Sequence, residues 1–127
     1  MDDASLIAAL EGGTLSQDAF PHRAHVQAAW YYLRRAPFGE AGDRFCGALR
    51  RFAGSFGRPQ RFHATMSWAY LALIQERSIA TPADTFEQFA AANPDLLDHA
   101  TTLSRVYDAE TLGSDLARRV FVLPRRG

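Results

Sequence analysis

Phe20-Pro21-His22-Arg23-Ala24-His25-Val26-Gln27-Ala28-Ala29-Trp30-Tyr31-Tyr32-Leu33 is the stretch on which the reading of this chain turns. At about 100° per residue, His22, His25, Val26, Ala29 and Leu33 share roughly a third of a helix circumference. Arg23, Gln27 and Arg34 fall on the flank, and Arg35 lies at the back. Pro21 suits a first helical turn, where its missing N–H is no loss, and Pro37 ends the helix near Arg35. The segment therefore reads as an amphipathic helix with two imidazoles, one turn apart, in the stripe that faces the core. Burying such a ring is costly unless its nitrogens find partners. A metal ion or a plain hydrogen-bond network would answer that cost.

Outward from this helix, the chain reads as all-α throughout. Residues 4–11 form a short helix stopped by Gly12-Gly13. Thr14 with Gln17 has the form of a capping box and opens a turn through Phe20. Residues 40–55 form the next helix: Phe45, Leu49, Phe52 and, just past it, Phe56 recur at or near helical spacing, and Gly47 and Gly54 weaken that helix or let a neighbour come close. A helix over 62–77 is apolar almost all the way round, which marks it as the central one. Thr81-Pro82-Ala83-Asp84 reads as the start of a helix ending near Ala92. Asn93-Pro94-Asp95 opens another, to about Tyr107, and 109–119 is the last. Val120 to Pro124 is an extended tail that packs back. The expected architecture is a single domain over 1–127, a bundle of about five to six helices with a core spanning about 14–123.

The 127 residues are 47% apolar and 22% charged, ordinary values for a globular domain. No apolar run is long enough to span a membrane, and Met1-Asp2-Asp3 is acidic where a secretory signal begins with positive charge. Cys46 is the sole cysteine, so the expected location is a reducing cytoplasm. Every basic side chain other than histidine is arginine, which with the abundant alanine suggests a GC-rich bacterial genome. Net charge is zero, yet residues 34–61 carry seven Arg against two acids and residues 76–115 carry eight acids against two Arg. Internal pairing and solvated faces account for this asymmetry, and a nucleic-acid partner is not expected without an overall basic excess.

His22 and His25, at i and i+3, are close enough to share an ion. His63 opens the 62–77 helix on the same stripe as Ser67, Tyr70 and Ile74. An up-down-up order of the three main helices puts His22 and His63 at the same end, and three imidazoles leave an open position on Zn, Fe, Cu or Ni. The expectation is a metal site of His22, His25 and His63, with Thr65, Tyr70, Tyr32, Trp30 and Arg118 about a small molecule. His99 is read as solvent-facing. Arg118 holds an anion or pairs with Asp115. No catalytic base is identified, since Glu76 lies too far down its helix, and enzyme activity stays open. The alternative is a non-catalytic small-molecule or protein-binding module with hydrogen-bonded histidines and a pocket of Trp30, Tyr32, Trp68 and Tyr70. A homo-oligomer is a third reading, resting on exposed-looking aromatics such as Tyr31 and Phe38.

Phe20-Pro21-His22-Arg23-Ala24-His25, followed by Ala29-Trp30-Tyr31-Tyr32-Leu33, resembles the F-x-H-x-x-H…A-W-x-Y-L opening of a group of small, largely uncharacterised bacterial helical proteins. Their later Y-H-x-T and A-R-x-x-F-V-x-P motifs are matched by Phe62-His63-Ala64-Thr65 and Ala117 to Pro124. The group often has Glu after the second motif's histidine and Asp after the closing proline. Ala64 and Arg125 stand there in this chain, so a base or ligand role for those acids does not carry over. Helical-bundle metalloproteins with three histidines are similar in architecture only, because their His…H-x-x-x-H order is not found here.

Overall fold

The computed structural model describes residues 2–98 and 102–125. Among them are seven α-helices and no strand: α1 (Asp3–Gly12), α2 (His22–Arg35), α3 (Phe38–Ser55), α4 (Ala64–Ala80), α5 (Phe86–Ala92), α6 (Ala109–Leu112) and α7 (Asp115–Arg119). None is long and apolar enough to cross a membrane.

The core is the three-way packing of α2, α3 and α4, with α1 laid across α2 and α3. Side-chain contacts give the directions. Tyr32 meets Phe45 and Phe20 meets Phe52, so α2 and α3 run antiparallel. Gly42 sits under Trp68 while Arg50 lies over Phe62, so α3 and α4 are antiparallel as well. The starts of α2 and α4 therefore lie at the same end of the bundle, beside the C-terminal half of α3. Leu6, Ile7 and Leu10 of α1 belong to the same apolar cluster as α2–α4, so the core begins well before residue 14.

Local chemistry sets the ends. Asp2 accepts from the Ser5 amide at the start of α1, and Gly13, at φ 75°, closes that helix with its N–H on the Ala9 carbonyl. Residues 17–19 form a 3-10 turn, as expected, but Thr14 does not cap it; its hydroxyl faces the Ala9 carbonyl instead. Thr81 does not start α5. Its hydroxyl bonds back to the Arg77 carbonyl and ends α4, while Thr85 caps α5 by accepting from Gln88 N and the Gln88 side chain accepts from Asp84 N.

The stretch from Pro94 to Tyr107 departs further from a continuous helix. Residues Pro94–Leu97 and Leu103–Arg105 are 3-10 turns, and 99–101 lie outside the described residues. Competing local bonds divide it: Thr102 Oγ1 donates to the Asp95 carbonyl, and Asn93 is held by Phe89 O and Arg77. Arg77 also grips Asp95 with two bonds of 2.9 and 2.7 Å, and this guanidinium holds the Asp95 carboxyl below its ordinary pKa. Likewise 109–119 is two helices, because Ser114 turns its hydroxyl to the Ala117 amide and begins α7 anew.

The tail packs back as expected. Thr65, fully buried in the first turn of α4, donates to Val120 O at 2.9 Å and accepts from Val122 N at 3.1 Å, and Tyr107 donates to Val122 O. Thr65→Val keeps the shape and removes both hydroxyl bonds, so we expect a loss of about 1–2 kcal/mol in urea unfolding and faster hydrogen exchange at the Val122 amide.

The close approach in α3 is at Gly42, not at Gly47 or Gly54. A Cβ there would stand 2.0 Å from the Trp68 ring, whereas at Gly47 the nearest group is the Arg51 guanidinium at 3.5 Å. Two glycine-to-alanine changes in one helix thus have opposite expected signs. Gly47→Ala stabilises by about 0.5–1 kcal/mol through helix propensity. Gly42→Ala expels the indole and destabilises by about 1–2 kcal/mol, read by denaturation and tryptophan fluorescence.

Candidate functional site

A cavity of about 530 Å³ opens where α2 and α4 begin and α3 ends. The first turns of α2 bring His22 and His25, and α4 brings Met66, Ser67, Tyr70 and, at its N-cap, His63. Phe45, Leu49, Phe52 and Phe56 of α3 and its C-terminal cap form an aromatic wall. Arg58 and Arg61 stand at the adjoining turn, and Arg118 reaches the same rim from α7. The size lies within the range of roughly 300–1,000 Å³ usual for small-molecule pockets.

Each imidazole has a defined role. The His63 ring bridges two segments: Nδ1 accepts from the Met66 amide at 3.1 Å, capping α4, and Nε2–H donates to Leu112 O at 2.7 Å. An amide can only donate and a carbonyl can only accept, so these two bonds fix the tautomer and use both ring nitrogens. His22 Nε2 lies 2.9 Å from Leu96 O, and the ring meets Tyr70 edge-on at 5.1 Å. His25 Nδ1 lies 3.1 Å from Pro21 O, and the ring stacks on Phe20 at 3.9 Å. His22 and His63 thus tie the two helix starts to carbonyls 74 and 49 residues further along.

Tyr70 and Arg118 also line the cavity. Burial raises the Tyr70 hydroxyl pKa, so the group stays protonated in neutral solution. Arg118 donates to Gln60 O at 3.0 Å, while Asp115 pairs with Arg119 and not with Arg118. Three expected site residues lie elsewhere. Thr65 staples the tail. Tyr32 donates to Glu11 at 2.5 Å, away from the cavity, and Trp30 packs on Phe86 and Phe89 beneath the Arg34 guanidinium. Trp68, the remaining aromatic of the expected pocket, covers Gly42. Of the four aromatics expected around a pocket, Tyr70 alone reaches it. Even spacing on α2 gave no means of telling the stripe facing α4 from the one facing α5.

The site residues missed in the sequence are the phenylalanine wall, Ser67, Arg58 and Arg61. The run Phe45, Leu49, Phe52 and Phe56 carried the wall's signal, and the basic segment 34–61 carried that of the arginines. That segment does not pair with the acidic half among the described residues. Arg44 meets Glu40 within the segment, Arg35 lies over Tyr31, Arg50 over Phe62, and Arg34 donates to Ala83 O. Among the described residues no carboxylate lines the cavity, and Glu76 is outside it.

Among the described residues, no three His, Cys, Asp or Glu side chains are gathered to hold one metal ion; His99 lies outside those residues. The cavity brings His22, His25 and His63 to one space, but both nitrogens of His63 are engaged within the fold. Cys46 is buried in the core, and burial pushes its thiol up to about 11, away from nucleophilic use. No family model, curated protein or solved structure matches the chain.

The His63 bridge has a measurable weight. His63→Ala removes the cap and the link to Leu112, and should lower stability by about 1–2 kcal/mol in urea unfolding. His63→Asn, which can still cap α4 but is too short for Leu112, should lose less. Equal losses would assign the whole effect to the Leu112 link.

Proposed function

We propose that this protein is a small-molecule-binding helical module whose ligand enters the cavity between α2, α3 and α4. The observation that carries this reading is the composition of the cavity: an apolar aromatic wall faces His22, His25, Ser67 and Tyr70 across about 530 Å³. Apolar wall supplies affinity, and a few polar groups supply orientation. The histidines serve this use through their fixed rings. Carbonyl bonds hold them in place, so little side-chain entropy is lost when a ligand arrives.

A second reading keeps a divalent Zn, Fe, Cu or Ni ion at His22 and His25. It is favoured by one observation: each ring has a nitrogen on a backbone carbonyl, the arrangement that orients imidazoles toward metals. Remaining positions would fall to solvent or ligand, and His63 would join only by giving up the α4 cap. Elemental analysis of the purified chain beside His22→Ala/His25→Ala decides this reading: metal in the parent that is absent from the variant supports it.

For the leading reading, octanol is a suitable neutral probe. Its titration should shift NMR signals of Ala29, Met66 and Phe52, and Ala53→Trp, which places an indole at the cavity edge, should abolish those shifts while the fold is retained by circular dichroism. Shifts spread over the surface, or unchanged by Ala53→Trp, would remove the cavity from consideration as a binding site.

A further inference from the structure

The charge around the cavity is one-sided. Among the described residues, Arg58, Arg61 and Arg118 line it and no Asp or Glu does. Arg118 is held at the turn by its bond to Gln60 O, so its guanidinium stands beside the segment that carries Arg58 and Arg61. Neither Arg58 nor Arg61 has an ion pair or hydrogen bond from its side chain among the described residues. Elsewhere on the chain, arginines find carboxylates: Arg23 with Glu87, Arg77 with Asp95 and Arg119 with Asp115.

Two helix starts add to this field. α2, of 14 residues, has Pro21 at its N-cap with no side-chain acceptor, and α4, of 17 residues, is capped by the His63 ring and not by a carboxylate. Neither helix has an acidic residue in its first turn. Their positive ends therefore open on the cavity without a compensating negative charge. Opposite them stand Phe45, Leu49, Phe52 and Phe56, a wall that offers nothing to a small hydrated anion.

We propose that the cavity takes an organic anion: a carboxylate on an apolar body, with the carboxylate at the Arg58, Arg61 and Arg118 rim and the body against the α3 phenylalanines. This rests on the cavity being a ligand site, and gives that ligand its chemical class. Guanidinium groups meet a carboxylate in paired hydrogen bonds, and partial exclusion of water by the aromatic wall strengthens them. A neutral ligand of the same shape would leave the rim charges unanswered.

The test is calorimetric titration of the full chain with octanoate, octanol and inorganic phosphate. Octanoate is expected to bind about tenfold or more tightly than octanol, with the advantage shrinking as salt is added. Arg58→Gln/Arg61→Gln, changes at exposed positions, should cut the advantage of octanoate over octanol severalfold, with Arg118 holding what remains. Equal binding of octanoate and octanol would overturn the anion assignment while leaving the cavity a binding site. Phosphate binding as tightly as octanoate would overturn the role of the apolar body, and an undiminished octanoate affinity in the double variant would overturn the rim. Failure of octanol and octanoate alike would remove the ligand site itself, and the inference with it.

Discussion

The His63 ring fastens the short C-terminal helices to the start of the central helix. One nitrogen closes the start of α4, and the other reaches the carbonyl of Leu112, so the short C-terminal helices are tied to the central bundle at the point where the cavity opens. A helix start carries unpaired amides and a short helix leaves unpaired carbonyls, and the ring answers one of each. Thr65, two residues on, repeats the logic with its hydroxyl shared between Val120 O and Val122 N. Together they fasten residues 112–122, which are too short and too irregular to form a core of their own, onto the first turn of α4.

On the cavity side, α3 presents Phe45, Leu49 and Phe52, and the facing helices present Ala29, Ser67 and the histidine rings among larger apolar groups such as Met66 and Ile74. By contrast, the far side of α2 is filled, with Trp30 against Phe86 and Phe89 and the Arg34 guanidinium laid over the indole. One helix thus carries a packed face and an open face, and the polar residues mark the open one.

The charge distribution follows a related rule. Of the seven arginines in the segment 34–61, Arg34, Arg35 and Arg50 lie on aromatic faces, which accept a guanidinium without bringing an opposite charge. In the acidic half, Asp95 pairs with Arg77, Glu87 and Asp115 pair with Arg23 and Arg119, and Asp108 caps α6. Positive charge therefore remains near the cavity while the net charge of the chain is zero. The most exposed large apolar groups are Ile79 near the end of α4 and Leu123 in the tail, with Leu116, Val120 and Phe121 also exposed; Tyr31 and Phe38 are half-buried beneath Arg35 and beside Trp68.

By itself, the sequence determined what rests on local periodicity and local caps: the all-α class, the long helices α1 to α4 within a few residues, the stop at Gly13, the returning tail, and the placement of His22 and His63 at one end of an up-down-up bundle. Those features depend on neighbours within one or two turns, which the sequence displays directly. Tertiary structure decided what depends on partners far along the chain. Thr81 ends a helix and does not start one because its hydroxyl finds Arg77 O. After Pro94 the chain forms 3-10 turns, with Thr102 bonding to the Asp95 carbonyl within that segment. Thr65, Tyr32 and Trp30 serve the core, and Arg58 and Arg61 the cavity, because a stripe on a helix records only that a residue is near something. Which neighbour it meets is set by the packing of three helices, and that is written in no single one of them.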